Sequence, residues 1–546
     1  MTTAPETFAE RWITKMEKGL FKTVLAGVLA LSVGCSFCAC KDKKTGGSDA
    51  SDTEKYGRTY PIETNETLSY WGSFPLPSGE TREFSEMPLA KQLEKETGVK
   101  IKYIYPTGSY DESFNLLLAS GDLPDLVSFN WMRYPGGPGK AIEDGHIIPI
   151  KKYVDKYCPD FNAALDKYDG HKFFSTDDGE LYEFPMIYNG GSSKSAGMML
   201  RKDWLDELKL EVPETIDEWE AVLRAFKKKG VKAPLAVIDQ AFEEGWFTGA
   251  FGIRLGYFLE DGKVKNGYME KGYKEFITLM NRWYEEGLLD ANYATTDIST
   301  IMTEMLNGTS GATFGGQGGT MGALLSADHD GTYELTATPF PVLKKGTKAA
   351  VAKGSPLASS QTTNGVAITT ACGDVELAAK YLNYGYSEKG ALTYGFGIEG
   401  VTYNMVDGYP TYTDLITKSA EGKSMRTMLD TYTNSASCGG PFIQDFRYLQ
   451  QYAQTQAQRE ALDIWSNLGD GESYDLPPLF FDGNETRVVS SKQNSVHTYQ
   501  KEMLSKFIIG KEPVENFDKY IETMKSIGAD ELIDAYQSAY ERYQKR

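Results

Sequence analysis

The sequence predicts an α/β protein with a parallel sheet and more than one domain. Three observations lead there. The chain has 546 residues, too many for one hydrophobic core. Its first folded part alternates short apolar runs with amphipathic stretches, in the order β-α-β-α-β. The pivot of that part is Ser113–Tyr134. Phe114, Leu117 and Leu118 recur at helical spacing, and Gly121 closes the helix. Pro124 forbids helix in the next residues, so Asp125-Leu-Val-Ser-Phe129 has the size of a buried parallel strand.

Thr67–Trp71 is a strand. Glu86–Glu96 is a helix closed by Gly98, and Val99–Tyr105 alternates as the second strand. Past the third strand comes an aromatic loop, Trp131, Met132, Arg133 and Tyr134, then Pro135-Gly-Gly-Pro138. In open α/β sheets ligands bind beyond the carboxyl ends of the strands. Glu143–Ile150 and Tyr153–Phe161 carry the pattern on. Asp178-Gly179 makes a turn into a strand ending at Pro185-Met-Ile-Tyr188, followed by the loop Asn189-Gly-Gly-Ser-Ser-Lys194. Thr215 caps a helix over 216–229, with Glu218 completing a capping box. Helices are expected at Phe276–Glu286 and Asp297–Leu306, a strand at Gly311–Phe314, a strand at Gly365–Thr369 and a helix at Val375–Tyr386. The C-terminal third is mostly helical. Phe517, Tyr520, Ile521, Met524 and Ile527 form one apolar stripe there, and core packing is its ordinary meaning.

Composition excludes some functions. The net charge is −19, with no basic face, so nucleic acid is not expected as a partner. Six cysteines give no disulfide framework: Cys35, Cys38 and Cys40 sit in the leader, and Cys158, Cys372 and Cys438 lie far apart. The four histidines are scattered, so no metal site is argued, and no cofactor is expected. Gly395-Phe-Gly-Ile-Glu-Gly400 fits a dinucleotide fingerprint in letters. It follows a helix instead of a strand and is rejected. No nucleophile elbow is present, and no catalytic residue is assigned.

The amino terminus carries a targeting signal. Met16–Lys22 is charged, and Thr23–Ala39 is apolar and short, as in a signal peptide. Cys40 is the expected lipidation site, with Cys35 as the alternative. Cleavage before Cys40 leaves a clean polar tether beginning at Lys41, and residues 41–55 should be disordered linker.

Several motifs then carry a resemblance. A helix, Ser120-Gly-Asp-Leu-Pro-Asp125, a strand and an aromatic loop, followed by Glu143-Asp-Gly145, resemble the extracellular solute-binding proteins, family 1, of bacterial ABC importers. Arg201-Lys-Asp-Trp-Leu205 followed by Pro213-Glu-Thr-Ile-Asp-Glu-Trp219 resembles that family's passage into a second lobe, though Lys209 stands where glycine is usual. Gly397-Ile-Glu-Gly400-Val-Thr-Tyr403 matches a further family element.

The resemblance implies a two-lobed periplasmic-binding-protein-like fold with crossing strands at the hinge. Lobe 1 would take residues 57–187 and 342–398, and lobe 2 would take 188–341 and 399–546, after a leader (1–39) and a lipidated tether (40–56). It also implies carbohydrate capture for an importer permease, by a lipid-anchored monomer on the outer face of the cell membrane. A sensor lipoprotein coupled to a membrane kinase, or a surface polysaccharide-active enzyme, are the competing readings. A sugar ring needs aromatic plates and a few convergent polar groups. The candidates in strand-end loops are Trp71, Phe74, Phe129, Trp131, Arg133, Tyr188, Asn189, Asp239, Trp246, Phe247 and Gln317. Core packing is the competing reading for each single aromatic.

Overall fold

The computed structural model describes residues 54–190, 195–327, 331–351, 357, 363–435, 439–466 and 474–546. The leader, residues 40–53 of the tether, Gly191–Lys194, His329 and Cys438 lie outside the described residues. The last tether residues are not the disordered linker expected: Tyr56 is buried, its N–H donates to Glu376 Oε1 at 2.9 Å and its Oη to Asp374 Oδ2 at 2.7 Å.

The elements that position the site are, in chain order, β1 (Thr67–Trp71), α1 (Pro88–Thr97), β2 (Lys100–Ile104), α2 (Tyr110–Ser120), β3 (Leu126–Phe129), β4 (Ile187–Tyr188), β5 (Ala196–Arg201), α3 (Ile216–Lys229) and β6 (Ala233–Leu235). Next along the chain are α4 (Lys271–Glu285), β7 (Ser310–Gly316), β8 (Leu335–Ala337), β9 (Gly365–Ile368), α5 (Val375–Asn383), α6 (Met425–Tyr432), β10 (Ile443–Gln444), α7 (Gln456–Ser466), α8 (Gly483–Ile508) and α9 (Ala529–Lys545).

The local chemistry explains the first of these. Pro88 stands in the first turn of α1, where its missing N–H costs nothing. Gly98 ends that helix at φ 75°, and a Cβ there would overlap the Ile62 carbonyl, so both conformation and space demand glycine. Gly121 ends α2 at φ 69°. Thr215 caps α3 with the full capping box to Glu218. Residues 143–161 are helical and loop-like and cover the sheet without adding a strand to it.

Two four-stranded sheets form the two lobes. The first has the order β9-β3-β1-β2, with β1, β2 and β3 parallel and β9 antiparallel to β3. The second has the order β8-β5-β7-β6, with β5 antiparallel to both neighbours and β6 parallel to β7. A short parallel pair, β4 with β10, sets Ile187 opposite Ile443 and Tyr188 opposite Gln444. Buried side chains such as Trp219, Phe247, Tyr273 and Trp283 fill the second lobe, while Phe161, Phe184, Val366 and Leu382 fill the first.

Packing departs from the expected division in two segments. Residues 342–351 stay with the second lobe: Val342 N–H donates to Glu214 O at 3.0 Å and Ala350 N–H to Gly249 O at 2.9 Å. Residues 399–442 pack on the first lobe. Tyr412 Oη donates to Gly395 O at 2.7 Å, Asn434 N–H to Tyr394 O at 2.7 Å, and Phe442 stacks on Tyr394 with centroids 4.8 Å apart. The C-terminal end of α9 reaches back to the first lobe. Arg546 Nε meets Asp177 Oδ1 at 2.9 Å and Arg542 Nε meets Asp177 Oδ2 at 2.9 Å.

Candidate ligand site

The first sheet contains its own crevice. β1 lies between β3 and β2; the chain leaves β1 toward β2 and then returns across β1 to reach β3. Connections therefore diverge beyond the carboxyl ends of β1 and β3, where such sheets bind ligands. A cavity of about 520 Å³ lies there, within the size range of small-ligand pockets. Its aromatic wall includes Phe74, Phe84, Tyr103, Tyr110, Tyr381 and Tyr394. Its polar groups come from Ser73, Ser128, Asn364, Arg426 and Asn434.

Each wall residue is held by its neighbours. Phe74, half-buried, stacks on Phe84 at 5.2 Å and meets Tyr103 edge-on at 4.7 Å. Tyr110 Oη donates to Ser128 O at 2.5 Å. Burial pushes the Tyr110 phenol up to about 12 and the Tyr103 phenol well above its ordinary value, so both stay protonated at neutral pH. Arg426, from α6, donates Nε to Asp430 Oδ2 at 2.8 Å. Asn434 Nδ2 donates to Gly439 O at 3.1 Å, and its Oδ1 is buried without a hydrogen-bond partner among the described residues.

The second sheet brings the carboxyl ends of β6 and β7 to its own edge, with Asp239 and Gln317 just beyond them. Gln317 N–H donates to Ser195 O at 2.9 Å, and its carbonyl accepts from Gln458 Nε2 at 2.9 Å. A Cβ at Gly318 would overlap the Tyr452 ring, so glycine permits this close approach.

The eleven residues expected from sequence fall into different surroundings. Phe74 alone among them lines the cavity. Trp71 packs on Tyr110 and Phe114, and Phe129 stacks on Phe114 at 3.5 Å. Trp131 is 1% exposed and stands edge-on to Phe114 and Phe129. Arg133 is exposed and pairs with Asp111 at 2.5 Å. Tyr188 meets Phe446 edge-on, and Asn189 Oδ1 accepts from Phe446 N–H at 2.7 Å, beside the crossing strands. Asp239 accepts from the Tyr293 hydroxyl and from Lys501 Nζ at 3.3 Å. Trp246 packs on Phe314, and Phe247 is 0% exposed between Trp219 and Trp283. Trp131 Nε1, Trp246 Nε1 and Gln317 Oε1 are buried polar atoms without hydrogen-bond partners among the described residues. Sequence reasoning missed Arg426, Asn434, Asn364, Tyr381 and Tyr394. None of them sits in a motif. The breaker run Gly439-Gly440-Pro441 beside the cavity was the available signal.

Among the described residues there is no group of three or more His, Cys, Asp or Glu arranged to hold a metal, and no helix long and apolar enough to cross a membrane. The two sheets are those of a two-lobed binding-protein fold. Residues 78–392 match the family of bacterial extracellular solute-binding proteins, and the chain belongs to that family. It is similar to the fructooligosaccharide ABC transporter substrate-binding protein FusA of Streptococcus pneumoniae, 30% identical over 301 residues, which are 50% of this chain and 53% of that one. It is also similar to Lipoprotein LipO of Bacillus subtilis, 29% identical over 251 residues, 43% of this chain and 48% of that one. The chain thus spans about half the length of the curated relatives it matches. The structure of S. pneumoniae FusA in complex with kestose superposes with a TM-score of 0.67 at 21% identity, over 88% of this chain and 100% of that one, and shares the two-lobed fold.

Proposed function

We propose that the protein captures a carbohydrate between its lobes and delivers it to an ABC importer permease, making and breaking no bond. The observation that carries this reading is the aromatic-walled, polar-rimmed cavity at the carboxyl ends of β1 and β3. Phe74 offers a ring face at that cavity, and Arg426 offers hydrogen bonds. Aromatic faces stack on the apolar C–H faces of a sugar while polar groups meet its rim. The family membership and the oligosaccharide named for FusA support the same class of ligand.

The lobes in this reading divide at β4, after residue 351, and after Tyr452, since Gln450 and Gln451 still bond to Tyr409 and Tyr412. Closure about these crossings would bring Gln317 and its neighbours toward the first lobe's cavity. The chain is held at the outer membrane face by lipid on Cys40, with Cys35 as the alternative, and works as a monomer. LipO, by its name a lipoprotein, supports the anchor.

A thermal-shift screen against a glycan panel tests the reading. A ligand at 100 times its Kd adds about 2.7 kcal/mol to native stability. Small-angle scattering on the bound and free protein tests closure: a smaller radius of gyration with ligand is expected, and an unchanged radius at saturation would argue for a rigid binding module.

A further inference from the structure

We infer that Asn364 determines specificity in the first-lobe cavity, as the amide that reads two adjacent hydroxyls of a sugar ring held there. The inference rests on the carbohydrate-receptor reading above and narrows it. Asn364 stands one residue before β9, at the strand end that lies beside the carboxyl end of β3. Side chains alternate along extended chain, so Asn364 shares a face with Val366 and Ile368. Val366 and Ile368 pack in one cluster with Tyr70 and Tyr381, and those two tyrosines line the cavity. Asn364 lines it with them.

The backbone is built to hold that position. Asn364 and Gly439 form a parallel bridge, and Gly440 N–H donates to Asn364 O at 3.0 Å. Gly439 has φ 121°, and a Cβ there would stand 2.9 Å from Asn364 O, so the close approach needs glycine. Asn434 braces the glycine pair through its Nδ2, which donates to Gly439 O at 3.1 Å. Its Oδ1 is sealed, so Asn434 has nothing to offer a ligand. The Asn364 side chain takes no part in this bracing. It is half-buried, and its amide makes no hydrogen bond among the described residues. Neither atom of that amide is among the sealed polar atoms of the described residues.

A free amide presents one donor group and one acceptor, whichever way it is turned. Two hydroxyls on neighbouring ring carbons meet both ends of it at once, one accepting from Nδ2 and one donating to Oδ1. Arg426 adds donors in the same cavity. Its Nε donates to Asp430 Oδ2 at 2.8 Å, and no other hydrogen bond engages the guanidinium among the described residues. A hydroxyl rotates to donate or to accept, whereas an acetamido carbonyl or a carboxylate only accepts. That difference separates a hydroxyl pair from other partners for Asn364.

Titration calorimetry tests this. The probes are neutral fructan, glucan, galactan and mannan trisaccharides, and the tightest binder is carried to the variants. Asn364→Leu, similar in size and without polar atoms, should weaken that sugar about tenfold, while the ligand-free melting temperature stays near the parent's. Should that variant melt early, Asn364→Ala is read in its place. Asn364→Asp is the diagnostic change. A carboxylate accepts from both hydroxyls of a pair, because each turns to donate, so affinity should stay within about threefold of the parent's. Unchanged affinity on loss of the amide would overturn the inference and leave the receptor reading standing. A loss in Asn364→Asp as deep as in Asn364→Leu would overturn it too, because the amide N–H would then be meeting an oxygen that only accepts. Silence of every probe would overturn the receptor reading and this inference with it.

Discussion

Replacing Trp131 with Ala separates a cavity-facing tryptophan from a structural one. The side chain is 1% exposed and stands edge-on to Phe114 and Phe129 under the sheet. A buried tryptophan removes up to about 250 Å² from water, and truncation to Ala forfeits most of it. Taking about 200 Å² at about 25 cal/mol per Å² gives about 5 kcal/mol. Trp131 Nε1 has no hydrogen-bond partner to lose, so no further polar penalty is added. Truncations of buried aromatics cost about 3–5 kcal/mol, which agrees. The assay is urea denaturation followed by far-UV circular dichroism, alongside sugar titration. Arg133→Ala is the control, because Arg133 and its partner Asp111 are both exposed, and exposed pairs contribute at most about 1 kcal/mol. Trp131→Ala should lower the unfolding midpoint sharply and Arg133→Ala should barely move it. A Trp131→Ala protein that unfolds like the parent yet loses its ligand would refute this reasoning and return Trp131 to the binding face.

Three further outcomes are expected. Phe74→Ala removes the half-buried ring at the cavity and should weaken carbohydrate by about 1–3 kcal/mol, by analogy with other stacking losses, with a smaller change in melting temperature; the opposite pattern would make Phe74 structural. Gly197→Ala places a Cβ into the Trp465 ring behind β5 and should destabilise by about 1–3 kcal/mol in a thermal melt, whereas an unchanged melt would mean that Trp465 yields freely. Burial holds the Glu183 carboxyl well above its ordinary range, so the folded state keeps its proton where the unfolded state has lost it. That group therefore favours folding least at high pH: its contribution is intact below pH about 4.5 and declines as pH rises toward the folded value. Glu183→Gln should flatten this decline, and parallel stability–pH curves for the two proteins would contradict the shift.

Elements governed by local rules were legible in the sequence. Thr215 and Glu218 make the predicted capping box, Gly98 and Gly121 end their helices, and β1 runs over the predicted residues. These depend on neighbours a few residues away. The cavity does not. Arg426 and Asn434 join Phe74 from some 350 residues downstream, and no spacing rule relates them. The aromatics after β3 misled for a related reason. A short 3₁₀ turn at Trp131–Arg133 directs Trp131 onto the α2 side of the sheet, while Arg133 faces solvent. Alternation along a strand gives no warning of that turn.

The strand orders also set a schedule for assembly. All four strands of the second sheet come from residues 196–337, an unbroken stretch. The first sheet holds three strands from residues 67–129 and waits for β9 at 365–368 to cover β3. A chain emerging amino terminus first therefore begins one sheet, completes the other, and only then returns to finish the first. During that interval the open side of β3 presents unpaired backbone, the kind of edge that recruits other chains. Non-local pairing of this sort is slow, because the intervening loop must close first. Aggregation during synthesis should therefore peak in fragments that end between residues 337 and 365, and fall once β9 is included.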